Sequence, residues 1–306
     1  MNSSVQGIFA AVLTPLDGDL APDRAAIARH CRWLRDNGCD GLSVLGTTGE
    51  ANSFSVEERE RLLEGLIEDG IPGNVLLPGT GCCALTDTVR LTRKAVELGA
   101  AGVLMLPPFY YKNVSDDGLF ASYAEVIERV GDARLRIYLY HFPQMSGVFL
   151  GHDLIDRLLK RYPDVVAGVK DSSGDIDNMI RNAQAFPGFG VLSGSDEFLL
   201  PLLQNGGVGC ITAVANVAAF LAAEVYAAWR EGDGERATHV QERLTAVRNA
   251  ISALPLSAAL KEIMARHTGD DGWLHIRPPL TRLNPTGAAD LFITLESLDF
   301  SPPPAP

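Results

Sequence analysis

Eight short apolar runs punctuate the chain, at Gly7–Thr14, Gly41–Gly46, Val75–Gly81, Gly102–Pro107, Arg136–Phe142, Val165–Lys170, Gly190–Gly194 and Gly209–Val214. Each is bounded by turn residues and is too short for a helix, so each reads as a buried strand. Between most of them, apolar residues recur at helical spacing. Pro22–Asn37 carries Ile27, Cys31 and Leu34 on one face. Ser55 opens the next helix with a capping box, Ser55-x-x-Glu58, followed by Leu62, Leu63, Leu66 and Ile67. Thr86–Leu98, Ser115–Val130, Gly151–Arg161 and Asp177–Ala185 repeat the rule. Strand–helix alternation pairs strands in parallel. Eight units in about 220 residues predict an α/β chain folded as a (β/α)8 TIM barrel rather than an open doubly wound sheet. No G-x-G-x-x-G follows the first run, which counts against a dinucleotide-binding sheet.

Beyond Phe220 the pattern is helical. Leu221–Glu231, Gly234–Ala253, Leu256–Thr268 and Ala288–Leu298 read as helices. The expected organisation is a catalytic barrel over residues 1–222, a C-terminal helical extension over 223–300, and a disordered proline-rich tail over 301–306.

Composition narrows the field. A chain of 306 residues with 46% hydrophobic content can bury a large core. A net charge of −12 without a polybasic block excludes nucleic acid as a partner. The five cysteines are odd in number and form no C-x-x-C pair, so neither a disulfide framework nor a zinc knuckle is expected. A reducing cytoplasm is the simple reading. Cys210–Trp229 approaches spanning length, but Asn216 and Glu224 interrupt it, and a strand, a turn and a helix fit better than a membrane segment. The six histidines show no ligand spacing, so no metal is expected.

Candidate chemistry gathers at the ends of the runs, where such barrels place their working residues. Lys170 closes the sixth run, at the mouth of a core. Burial disfavours an ammonium, and a neutral amine attacks carbonyls to form a Schiff base. Alone, Lys170 reads more readily as a strand-end lysine pointing into water. The other ends supply what a keto acid needs. Gly46-Thr47-Thr48-Gly49-Glu50 offers hydroxyls and free N–H groups for a carboxylate. Tyr140, with a threonine hydroxyl, can shuttle the proton of carbinolamine formation. Pro107-Pro108-Phe109-Tyr110-Tyr111 and Ser195-Asp196-Glu197 complete the set. Each motif has a bland reading as a tight turn, a core tyrosine, a capping aromatic pair or a solvated helix start. Their coincidence at five strand ends argues against all of these together.

In this order the motifs resemble the dihydrodipicolinate synthase / N-acetylneuraminate lyase family of class I pyruvate-dependent aldolases. The resemblance rests on Gly46–Glu50, Pro108-Phe109-Tyr110-Tyr111, Tyr140-x-x-Pro143, Gly168-Val169-Lys170-Asp171, and Gly206-Gly207-x-Gly209 leading to Asn216. It implies a cytoplasmic barrel enzyme that works as a homotetramer, a dimer of dimers. No cofactor is implied beyond the covalent lysine adduct. By this resemblance Lys170 is the Schiff-base lysine and Tyr140 the proton carrier. Thr47 links Tyr140 to a second tyrosine, Tyr111, delivered by the neighbouring subunit. Thr48 and Gly46 belong to the pyruvate carboxylate site, and Ile211 lines the pyruvate pocket.

The same resemblance separates members by substrate. Synthases place an arginine two residues after the proline of Tyr-x-x-Pro, to hold the carboxylate of aspartate semialdehyde, and here that position is Met145. Losing a charged hydrogen bond costs about 1.5–3 kcal/mol. Cys83 stands where lysine-regulated synthases carry asparagine, so lysine feedback is not expected. Asp196-Glu197 matches the acidic pair that lyases use for substrate hydroxyls, whereas Ala213 replaces a lyase serine. The preferred expectation is cleavage or dehydration of a 2-keto-3-deoxy sugar acid or a related 4-hydroxy-2-oxo acid. Ser172, Asp196 and Glu197 would contact its hydroxyls, and His141 or Gln144 would serve the aldehyde end. One alternative is 4-hydroxy-tetrahydrodipicolinate synthase using another cation. The other is a non-catalytic keto-acid binder, whose signature would be loss of Lys170 or Tyr140.

Overall fold

The computed structural model describes residues 5–305. Seven parallel strands form one sheet: β1 Gly7–Ala11, β2 Gly41–Ser43, β3 Val103–Met105, β4 Ile137–His141, β5 Val166–Asp171, β6 Gly190–Ser193 and β7 Gly209–Thr212. Their spatial order is β2-β1-β7-β6-β5-β4-β3. The gap between β2 and β3 is filled by the segment expected as an eighth strand. It makes single bridges on each side, Leu42 with Leu76 and Gly79 with Leu104. Leu77 N and Gly79 N donate to Leu42 O and Val44 O, and Leu104 N donates to Pro78 O. Pro78 has no N–H, so regular pairing breaks there while the ring still closes. The fold is a (β/α)8 barrel with C-terminal helices.

The outer ring comprises α1 Arg24–Asp36, α2 Val56–Glu68, α3 Leu85–Glu97, α4 Asp116–Val130, the single turn α5 Pro143–Ser146, α6 His152–Arg161, α7 Ile176–Ala185, α8 Leu199–Gln204 and α9 Ala215–Glu231. The capping box at Ser55 forms as the sequence indicates, with Ser55 and Glu58 exchanging both hydrogen bonds. After α9 come α10 Gly234–Ser252, α11 Leu256–Thr268 and α12 Pro285–Ser297. The boundary expected at 222/223 falls inside α9, which runs on until Gly232 caps it in the left-handed region. Within residues 301–305, expected as a disordered tail, Pro304 is tied to α1 instead. Trp33 Nε1 donates to Pro304 O at 2.7 Å, and prolines have little backbone freedom to lose on docking. Pro306 lies outside the described residues.

Strand alternation sorts the core into two shells. Phe9, Ala11, Leu77, Leu104, Tyr138, Tyr140, Leu192 and Ile211 fill the barrel interior. Their neighbours, such as Leu42, Val103, Leu139, Val169 and Val191, face the helices. The C-terminal helices pack on Ile8, Leu13 and Cys210 through an apolar cluster of their own. Asn216 ties that junction together. Its Nδ2 donates to Ala11 O and Ala213 O, and its Oδ1 accepts from Leu13 N. Among the described residues no helix is long and apolar enough to cross a membrane.

Candidate active site

β4 and β5 pair in register, Tyr140 beside Lys170. Tyr140 shares the inward face of Tyr138, and Lys170 points to the same interior. Lys170 is only 5% exposed. Its Nζ lies 3.4 Å from Tyr140 OH and 4.4 Å from the centre of the Tyr140 ring. Tyr140 OH lies 3.3 Å from Thr47 Oγ1. Amine, phenol and hydroxyl therefore form a chain of three proton-exchanging groups, drawn from the ends of three strands.

The loop that brings Thr47 is tightly bent. Leu45 and Glu50, neither of them glycine, hold φ near +58° and +57°. Such conformations cost about 1–3 kcal/mol and concentrate at functional sites. Gly49 is required by close approach, because a Cβ there would lie 2.7 Å from Val12 O. Gly46, by contrast, faces open space, with nothing within 4 Å of a built Cβ. Glu50 N and Ala51 N donate back to Thr47 O and Gly46 O. Among the described residues, the N–H groups of Thr47 and Thr48 have no such acceptor. Free N–H groups on a bent loop are the parts from which anion cradles are built.

Other expected residues fall in three groups. Ile211 is fully buried in the barrel interior with Tyr140. Ser172 follows Lys170 on the inward face, and its Oγ packs where a Cβ on Gly194 would sit. Glu197 is half-buried, accepts from Ser195 Oγ at 3.1 Å and pairs with Arg248 at 3.3 Å. Met145, 61% exposed, sits on α5, and the neighbouring Gln144 Nε2 donates to Ser173 O. Tyr111 is 71% exposed and packs edge-on against Tyr110. It makes no hydrogen bond to Thr47 within one chain, among the described residues.

Two expectations need correction. His141 follows Tyr140 and so faces the helices, not the mouth. Its ring meets Phe149 edge-on at 4.7 Å, and Nδ1 accepts from Leu150 N at 3.2 Å. Burial pushes its imidazole below the usual histidine value. Asp196 is buried too, and Thr212, which alternates with the inward Ile211, donates to its Oδ1 at 2.7 Å. Gln241 Nε2 holds the Asp196 carbonyl at 2.9 Å. Burial pushes the Asp196 carboxyl up to about 6. Asp196 is held in the barrel wall by Thr212, and His141 is turned away from the mouth, its Nε2 buried without a hydrogen-bond partner among the described residues.

The structure also adds residues that sequence reasoning missed. Lys261 of α11 forms a buried ion pair with Glu50, and its Nζ donates to His275 O at 2.7 Å. Arg277 N donates to the other Glu50 oxygen at 2.9 Å. Ser257 Oγ reaches Thr48 O at 3.4 Å. One local signal was present: Lys261 interrupts the apolar face of a helix flanked by Ala258 and Met264.

Comparison with known proteins bears on the fold and the family. Residues 4–297 match the dihydrodipicolinate synthetase family. An uncharacterized DapA-like lyase of Chloroflexus aurantiacus is 36% identical over 294 residues, covering 96% of this chain and 97% of that protein. A 4-hydroxy-tetrahydrodipicolinate synthase of Methanopyrus kandleri is 33% identical over 268 residues, 85% of this chain and 87% of the other. The crystal structure of dihydrodipicolinate synthase from Agrobacterium tumefaciens superposes with a TM-score of 0.88 at 30% identity, covering 96% and 99% of the two chains. A prophage protein of the same family from E. coli K12, solved in complex with pyruvate, gives 0.87 at 28% identity, covering 96% and 98%. On the fold, the buried lysine–tyrosine–threonine chain and these matches, the protein belongs to the dihydrodipicolinate synthase family of lyases.

Proposed function

We propose that the protein is a Schiff-base aldolase or dehydratase acting on a 4-hydroxy-2-oxo acid, of which 2-keto-3-deoxy sugar acids are the favoured class. The observation that carries this is the Lys170–Tyr140–Thr47 chain beside the free N–H groups of the Thr47–Thr48 loop. The loop takes the substrate carboxylate. Lys170 Nζ attacks the keto carbon, and Tyr140 passes a proton to the departing oxygen, which leaves as water. The resulting iminium draws electrons from the C3–C4 bond. Cleavage releases an aldehyde as the C4 hydroxyl gives up its proton, and leaves an enamine on Lys170. Protonation of the enamine at C3 and hydrolysis return pyruvate. No cofactor or metal has a role in this scheme.

In this reading Ser172 and Glu197 contact substrate hydroxyls, with Arg248 sharing the Glu197 charge. Synthase activity is disfavoured by Met145, which offers no charge-assisted bond to a second carboxylate. Tyr110, Tyr111, Val114, Met145 and Phe149 all expose apolar surface, and Lys112 Nζ ties their two loops together by donating to Ser146 O at 2.7 Å. We infer that a second copy covers this rim, placing its Tyr111 near Thr47, within a tetramer. Borohydride reduction in the presence of pyruvate, followed by peptide mapping, tests the chemistry, with an adduct expected on Lys170. A coupled screen of keto-deoxy sugar acids against aspartate semialdehyde tests the substrate. Efficient turnover of the semialdehyde would overturn the reading of Met145.

A further inference from the structure

The loop that carries Thr47 and Thr48 is held both by the barrel and by the C-terminal helices. Thr14 Oγ1, in the loop after β1, donates to Gly49 O at 2.8 Å. Ser257 Oγ, on α11, reaches Thr48 O. One turn further along α11, Lys261 meets Glu50, while Arg277 N binds the second carboxylate oxygen. Glu50 and Lys261 are almost entirely sealed from water.

A buried ion pair is a poor device for stability alone. Desolvation of both ions offsets their attraction, and apolar residues of like volume often serve as well. Its directional character suits a different task here. Glu50 sits in the left-handed region, a conformation that persists only where the surroundings over-determine it. Its carboxylate is gripped at both oxygens, by a side chain of α11 and by the backbone of the segment after it. Thr47 is three residues upstream and Thr48 two, so little slack separates the grip from the free N–H groups.

We propose that Lys261 is a positioning residue for keto-acid binding: through Glu50 it fixes the Thr47–Thr48 N–H groups and sets Thr47 Oγ1 against Tyr140. The C-terminal helices thereby take part in substrate affinity although they reach no reacting atom. This rests on the reading of the loop as a carboxylate site. A displacement of the loop weakens every contact it makes to the carboxylate, whereas Lys170 itself, on β5, stays in place.

The test is borohydride trapping across a pyruvate series, with the adduct at Lys170 read by intact mass and peptide mapping. Lys261→Met is expected to raise half-saturating pyruvate about tenfold or more while labelling still reaches completion at saturation. Lys261→Arg, which keeps the charge, should restore half-saturation to within about threefold of the parent, and Ser257→Ala should raise it about two- to fourfold. Should Lys261→Met fail to fold, the double variant Glu50→Gln/Lys261→Met leaves no unpaired buried charge and must show the same shift. Unchanged half-saturation in folded variants with lowered melting temperatures overturns the proposal and leaves the pair a purely structural tie. Absence of any adduct in the parent protein is a different result: it sinks the keto-acid reading, and this inference with it.

Discussion

Lys170 and Lys261 are both nearly sealed from water, 5% and 2% exposed, yet their partners differ. Lys261 faces the Glu50 carboxylate and a backbone carbonyl. Lys170 faces the phenol of Tyr140, and among the described residues it has no salt bridge. An amine locked to a carboxylate has its lone pair committed to a proton and cannot attack carbon. An amine beside a phenol has a neighbour that can take that proton or return it. Burial alone therefore does not mark the nucleophile; the nature of the group facing the amine does. Two carboxylate environments repeat the lesson. Glu50 has a cation at bonding distance, whereas Asp196 accepts from the Thr212 hydroxyl and has no salt bridge among the described residues, Arg248 pairing with Glu197 instead.

The contrast breaks most visibly by removing each amine in turn. Lys170→Met should abolish the borohydride adduct and lower turnover by about 10⁴-fold or more. Its stability in urea should equal or exceed that of the parent, since a buried amine without a carboxylate partner is lost. Tyr140→Phe should retain the lysine but lower kcat by about 10²–10⁴-fold, because the proton carrier is gone while the nucleophile remains. Steady-state kinetics on any accepted keto acid reads this. Lys261→Met should do the opposite of Lys170→Met in urea unfolding, losing about 3–5 kcal/mol as Glu50 is left buried and unpaired. Equal stabilities for the two lysine variants would erase the distinction drawn above.

Asp196 sharpens the comparison from the acid side. Its folded value of about 6 lies above the ordinary 3.8, with burial as the main cause. The native state therefore binds its proton more tightly than the unfolded chain does. The stability this gives is fully present below about pH 4 and is lost as pH rises through about 6. Asp196→Asn should remove that slope and gain up to about 3 kcal/mol above pH 6. Urea melts from pH 4 to 7.5 measure it, and an unchanged slope would assign the pH dependence elsewhere.

Much of this was legible in the chain because it is local. Apolar runs and helical spacing fix the alternation; Lys170 ends one run, Tyr140 lies near the end of another and Thr47 just follows a third, in a barrel that places its chemistry there. His141 follows a different rule, the alternation of strand faces: a residue next to an inward tyrosine faces outward. The third run lost its regular pairing to Pro78, a breaker visible in the sequence. The lysine on the apolar face of α11 is a local signal, but the partners of Lys261 and Ser257 are not. These two residues meet the loop across 211 and 209 positions of chain, and no local pattern encodes a contact of that span. Asp196 shows the same limit: its burial depends on Gln241 and Thr212, which only the folded barrel brings to it.

The contact between Trp33 and Pro304 has a practical side. With its indole N–H bound to the last stretch of backbone, Trp33 is a built-in optical probe of whether that stretch is seated. Deleting residues 301–306 should uncover the indole and shift its emission to the red.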